Sequence, residues 1–258
     1  MEQRRILALN NTAVRLLQQR QHRQASQTFL QSLNRLKENL RMRDPKIVPV
    51  VEYEEDEVLH KHRPGCVFST QPIRTASSTP ATEGEALLPF DMFPHVFGLS
   101  SQHDCTSVSN RDGATAVLLY NMAATHHVQA LSSKRSTPPK KQQILAQALQ
   151  LYTVALSAVQ HWDRHHEIPH EGHVLRCAIL NNLAHVQAML DRSGGEHKTL
   201  HCLREILRPS KAYLTRADYT FFVANVLFLC VGSGNRQDED PQDEDAPKGL
   251  MVAPAAAA

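Results

Sequence analysis

Aromatic side chains make up only 5% of this 258-residue sequence, which holds one tryptophan and ten glycines. With so few glycines, no G-x-x-x-x-G-K-[ST], G-x-G-x-x-G or G-x-S-x-G occurs, so phosphate-cradling loops and the hydrolase nucleophile elbow are absent as motifs. Cysteine is sparse too: Cys66, Cys105, Cys177, Cys202 and Cys230 are odd in number, widely spaced and without a C-x-x-C. That pattern argues against a disulfide framework and a structural zinc site, and it fits a reducing compartment. No apolar run approaches the ~20 residues needed to span a bilayer. The longest, Phe221 to Val231, is interrupted by Asn225 and reads as a buried helix end. A formal net charge of +2 gives no whole-chain attraction to nucleic acid or to an anionic membrane. With no secretory signal, the expected compartment is the cytoplasm, with the nucleus also compatible. The arginines at 4, 5, 15, 20 and 23, against the single acid Glu2, give the competing reading of a mitochondrial transit peptide.

What the chain does have is helical periodicity. Apolar residues recur at i, i+3, i+4 and i+7, and convincing alternating strands are scarce, so the fold class is all-α. In the first forty residues Ala13 falls in one helix and Ala25, Phe29 and Ser32 in the next, at spacings of 12, 4 and 3. Small residues let two antiparallel helices approach, and Phe29 fills the space between them. The order returns as Ala123, then Ala148, Tyr152 and Ala155, again spaced 4 and 3 in the second helix. Here the gap between helices is longer, and "SSKRSTPPKKQQ", with Pro138 and Pro139, is expected to be the loop that lengthens it. A third, degenerate copy has Ala184, then Thr199, Leu203 and Ile206.

These residues resemble the tetratricopeptide repeat superfamily, whose unit is about 34 residues of helix, turn and helix. The wording N-N-x-A at Asn10, Asn11, Ala13 and again at Asn181, Asn182, Ala184 is its most specific part. The resemblance implies an α-solenoid of about three helical pairs over residues 1–232, closed by a helix running from Ser210 to Val231. It also implies a concave groove that binds an extended peptide, with an asparagine two residues before each small residue: Asn11, Asn121 and Asn182. Each side-chain amide offers an acceptor and two donors, which suits a peptide backbone of any sequence. The same asparagines could instead bond neighbouring helices and hold the units in register. The positions where a carboxylate-clamping subclass carries basic residues are here Ala178 and Asn182, so chain-terminal carboxylates are poor ligands.

Between about 44 and 112, seven prolines exclude long helices. "GCVFSTQPI" and "LLPFDMFPHVFGL" are expected to pair as an irregular hairpin, with "RTASSTPATEGE" as its loop. If Leu87 to Leu99 folded back into the groove, the scaffold would block itself. Residues 233–258 carry acidic blocks at Asp238 to Asp240 and Asp243 to Asp245 and an alanine-rich end, and they read as a disordered tail.

One catalytic signature needs weighing. His166, Glu167 and His170 match H-E-x-x-H, in which two histidines one helical turn apart bind zinc. Pro169 lies between them, and proline excludes the helical turn that would converge the rings. A looser cluster, His161, His165, His166, His170 and His173, keeps a histidine-loop metal site as an alternative. His126 and His127 read as half-buried packing. The expected function is a non-enzymatic scaffold for a protein or peptide partner, without cofactor, with RNA binding by the basic N-terminal helices as the other alternative. Neither the partner nor the oligomeric state is written in the sequence.

Overall fold

The structure, a computed structural model, describes residues 2–41, 68–73, 91–100, 108–133, 137–165, 170–190 and 195–233. It is mostly helical, with seven α-helices and a two-stranded sheet among those residues. Helices α1 (Glu2–Gln18) and α2 (His22–Arg41) come first, and strands β1 (Phe68–Pro72) and β2 (His95–Leu99) follow. Next are α3 (Val108–Ser132), α4 (Pro138–His165), α5 (His170–Met189), α6 (Gly195–Ser210), a 3-10 turn (Lys211–Tyr213) and α7 (Arg216–Ser233). The loop expected over "RTASSTPATEGE" lies outside the described residues, as do residues 234–258 of the tail expected from 233; Ser233 itself is the last residue of α7.

Each helix packs on the next in sequence, and α1, α3, α5 and α7 also touch in succession. The small residues make this approach possible: Ala13, Ala25, Ala123, Ala148, Ala155 and Ala184 are all fully buried, as are Phe29 and Tyr152. Ser32 is buried as well, its hydroxyl donating to the Ile6 carbonyl across the first pair at 3.0 Å. The reversal between α1 and α2 is tight because Arg20 takes a left-handed conformation (φ 62°). With Arg20 N–H bonded to Leu17 O and Gln21 N–H to Leu16 O, both at 2.9 Å, the last carbonyls of α1 are satisfied without a longer loop.

The expected hairpin forms: β1 and β2 are antiparallel, Phe68 opposite Leu99 and Pro72 opposite His95. Three expectations need correction. Pro138 and Pro139 do not lie in a loop; they open α4, where a proline ring suits the first turn and its missing N–H has no helical partner to lose. The closing helix is not continuous from Ser210, since α6 ends there and a 3-10 turn intervenes. α7 restarts at Arg216 with Thr215 as its cap, the Thr215 hydroxyl accepting the Asp218 N–H at 3.1 Å. The proline-rich insertion also ends earlier than 112, because α3 begins at Val108.

Truncating the side chain that fills the first helical pair tests this packing. Phe29→Ala is expected to lower the unfolding free energy by about 3–5 kcal/mol in urea denaturation. Leu30→Ala, at the neighbouring and 48% exposed position, should change it by less than about 0.5 kcal/mol.

Candidate peptide-binding groove

An extended strand exposes backbone N–H and C=O groups along two edges, with alternate residues pointing to opposite sides. One edge of β2 faces β1, and the pairing extends past the strand where Ile73 N–H bonds Pro94 O at 2.7 Å. The other edge, offered by residues 91, 93, 95, 97 and 99, meets side chains of α1, α3, α5 and α7. Asn121 of α3 brackets Phe97, its Oδ1 accepting the Phe97 N–H at 2.9 Å and its Nδ2 donating to the Phe97 carbonyl at 2.7 Å. Asn10 of α1 donates to the same carbonyl at 3.2 Å. Asn11 brackets Leu99 in the same way, at 3.1 Å and 3.0 Å.

The arrangement repeats at the other end of the segment. Asn225 of α7 accepts the Asp91 N–H at 3.3 Å and donates to the Asp91 carbonyl at 2.9 Å, and Asn181 of α5 donates to that carbonyl at 2.9 Å. Asn182 accepts the Phe93 N–H at 2.7 Å, and between the two clamps the Tyr120 hydroxyl donates to the His95 carbonyl at 2.9 Å. Residues 91–99 thus cross the four odd-numbered helices from α7 to α1, against their order in the chain. The clamps also tie helices together: Asn121 Nδ2 reaches Asn10 Oδ1 at 3.0 Å, and Asn225 Nδ2 reaches Asn181 Oδ1 at 2.7 Å.

Side chains anchor the segment as firmly. Met92, Phe93, Val96, Phe97 and Leu99 are buried. Phe93 stacks on Phe222 (centroids 5.0 Å) and meets Phe221 edge-on, while Phe97 meets the Tyr120 ring edge-on at 5.1 Å. At Gly98 a Cβ would fall 2.8 Å from Ser69 Oγ and 3.0 Å from Gln71 Nε2, so the close approach of β1 leaves no room for a side chain unless both polar ends move.

Behind the strand a polar chain runs inward. The amide of Asn182 donates to the hydroxyls of Tyr120 (3.1 Å) and Tyr152 (3.2 Å). The Tyr152 hydroxyl lies 3.5 Å from His127 Nδ1, and His127 Nε2 lies 2.9 Å from His185 Nδ1. Burial raises both phenols above their usual range, so they remain protonated. It lowers both imidazoles, His185 to about 4 and His127 well below its ordinary value with His185 adding to the effect. One ring therefore donates and the other accepts. His127 is fully buried, not half-buried as its sequence context suggests, because α5 brings His185 against it; His126 is half-buried and bonds Ser26 at 3.3 Å.

The three asparagines singled out in the sequence, Asn11, Asn121 and Asn182, all hold the main chain of residues 91–99. Asn10, Asn181, Asn225 and Tyr120 complete the set. The N-N doublets carried a signal for the first two, whereas Asn225 has Leu227 where Asn11, Asn121 and Asn182 have Ala13, Ala123 and Ala184.

Elsewhere, His161 Nδ1 is 2.8 Å from Asp112 Oδ2, and His173 stacks on Tyr213 with its Nδ1 3.3 Å from Ser210 Oγ. The side chains of His165, His166 and His170 lie outside the described residues. Among the described residues no group of three or more His, Cys, Asp or Glu could hold a metal ion, and no helix is long and apolar enough to cross a membrane. Of the basic N-terminal side chains, Arg5 and Arg35 both pair with Glu2, at 3.6 Å and 3.2 Å. Comparison with known proteins returns no matching family model, no matching curated protein and no matching solved structure.

Two outcomes are expected. Asn121→Ala removes the acceptor for a buried N–H and strands Asn10 Oδ1, so it should cost about 2–4 kcal/mol and speed hydrogen exchange at the Phe97 amide. The histidine pair predicts a pH dependence. Its folded pKa values are depressed, so the unfolded chain binds more protons below pH ~6.5, and stability is lost from there down towards pH ~4. Denaturant titrations from pH 7.5 to 4.5 should show this slope reduced in His127→Gln/His185→Gln, by up to about 2.7 kcal/mol per pH unit if both protons are involved.

Proposed function

We propose that the chain is a non-enzymatic protein-interaction scaffold: an α-solenoid of tetratricopeptide-like pairs whose groove recognises an extended main chain, here its own residues 91–99. The observation that carries this reading is the paired clamp, Asn10 with Asn121 on Phe97 and Asn181 with Asn225 on Asp91. Amides that bracket the N–H and C=O of single residues recognise backbone, and the flanking pockets select side chains by the register of β2. The repeat-like spacing of Ala13, Ala123 and Ala184, each two residues after a clamping asparagine, supports the solenoid arrangement.

A partner segment would bind by replacing residues 91–99. The hydrogen bonds it made would be those it displaced, so its disadvantage is chiefly the tether, which gives the resident segment an effective concentration in the millimolar range. A matching partner must therefore be present near that concentration, bind the groove more tightly than the resident segment does, or arrive when the resident strand has detached.

The test uses a labelled peptide of residues 89–100 and the full chain carrying Phe93→Ser/Phe97→Ser, which weakens the resident segment without touching the asparagines. Saturable binding to the variant, with a rise in its melting temperature and at least about 100-fold weaker binding to the wild type, is the expected result. A variant that the peptide neither binds nor restabilises would make residues 91–99 a core strand and the clamps purely structural.

A further inference from the structure

The end of the helical array beyond α6 is built differently from the rest. α1, α3 and α5 are each followed by a helix packed against them, namely α2, α4 and α6. After α7 no such helix occurs among the described residues, and a groove of about 550 Å³ opens between α6 and α7. Leu207, Val226 and Leu227 supply its apolar lining, and Leu227 is 58% exposed, the largest exposure of any large hydrophobic side chain described. Arg204, Arg208 and Lys211 also line it, against a single acid, Glu205. None of the three cations makes an ion pair with a described residue, although Lys211 Nζ sits 5.7 Å above the Tyr219 ring. An apolar floor beside unpaired cations suits an acidic segment that also carries aliphatic residues.

The sequence directly after α7 has that composition. Asp238, Glu239, Asp240, Asp243, Glu244 and Asp245 are followed at 250–252 by Leu, Met and Val. We propose that the α6–α7 groove is the docking site of this segment of the same chain, its carboxylates facing Arg204, Arg208 and Lys211 and its aliphatic residues covering Leu227. Reach is sufficient. α7 has 18 residues and is roughly 27 Å long, whereas the 19 residues that follow Ser233, up to Val252, span up to about 60 Å when extended. Pro241, Pro247 and Gly249 disfavour a helix, so the occupant is an extended strip rather than an added helix. Each exposed ion pair is weak, but six carboxylates confined near three cations by a short tether act together. The contact is therefore salt-sensitive.

Zero-length carbodiimide cross-linking of the full chain, read by peptide mass spectrometry, tests it. The expected product is an amide between Lys211 and a carboxylate in 238–245, formed within the monomer and at least tenfold less abundant in 0.5 M salt or in Arg204→Glu/Arg208→Glu. In parallel, a labelled peptide of residues 234–252 should bind a full-length variant whose six tail acids are changed to Asn or Gln, and be excluded from the wild type. Any of four results would overturn the proposal: Lys140, on α4, cross-linking to the tail as readily as Lys211; cross-links only between two copies; equal binding of the peptide to wild type and variant, which would leave the groove free for an acidic partner; or binding to neither.

Discussion

The bidentate bond between an asparagine side chain and the main chain of a single strand residue is the constraint on which the rest of the structure depends. A β-strand paired on one side leaves the other edge bare, and a buried bare edge is costly. β2 has β1 on one side, and the other edge of residues 91–99 is completed by Asn11, Asn121, Asn182 and Asn225 together with the Tyr120 hydroxyl. The dependence is mutual. Without the strand, Asn10, Asn121, Asn181 and Asn182, all fully buried, would lose partners inside an apolar core, and each orphaned group costs on the order of 1–3 kcal/mol. Residues 91–99 and the odd-numbered helices therefore stabilise each other.

Distances explain why the match runs over four helices. Packed helices lie roughly 8–10 Å apart, so three intervals from α7 to α1 cover about 24–30 Å. Eight residue steps from Asp91 to Leu99 at ~3.3 Å each cover about 26 Å, the same span. Between two and three steps of strand thus match one interval of helices, which lets side chains from successive helices meet the same edge. The fully buried alanines keep those intervals short, and a bulky residue at Ala123 or Ala184 would separate the amides from the strand. The spacing that first revealed the helical pairs is also what sets the ladder's period.

Much of this was legible in the sequence because it is local. Ala13, Ala25, Phe29 and Ser32 lie within twenty residues of one another, and their spacing encodes a helical pair directly. The N-N doublets marked a polar line on the first helices of two pairs. What could not be read locally is the identity of the segment that meets them, since Asn11 and Leu99 are 88 residues apart and Asp91 and Asn225 are 134 apart. The hairpin could be anticipated from two apolar pieces among prolines, yet its place over the asparagines remained only one possibility. Asn225 was hidden for a different reason: it sits in the most apolar stretch of the chain, where burial was expected and a polar partner was not. His185 was likewise silent, because a lone histidine in an amphipathic helix gives no hint that His127 lies 2.9 Å away.

The clamps set the terms on which any other segment could occupy this groove. An incoming strand offers the same N–H and C=O groups as the resident one, so the asparagines contribute almost equally to both and cannot discriminate. Selection must come from the pockets of Phe93 and Phe97, lined by Phe222, Phe221 and Tyr120, and from the space at Gly98, where Ser69 and Gln71 crowd any added side chain. Phe97 and Gly98 are adjacent, so one residue must be large and the next absent of side chain, which few sequences provide. On the proposed reading, a backbone ladder that is indifferent to sequence would thus become selective through two aromatic pockets and one close approach.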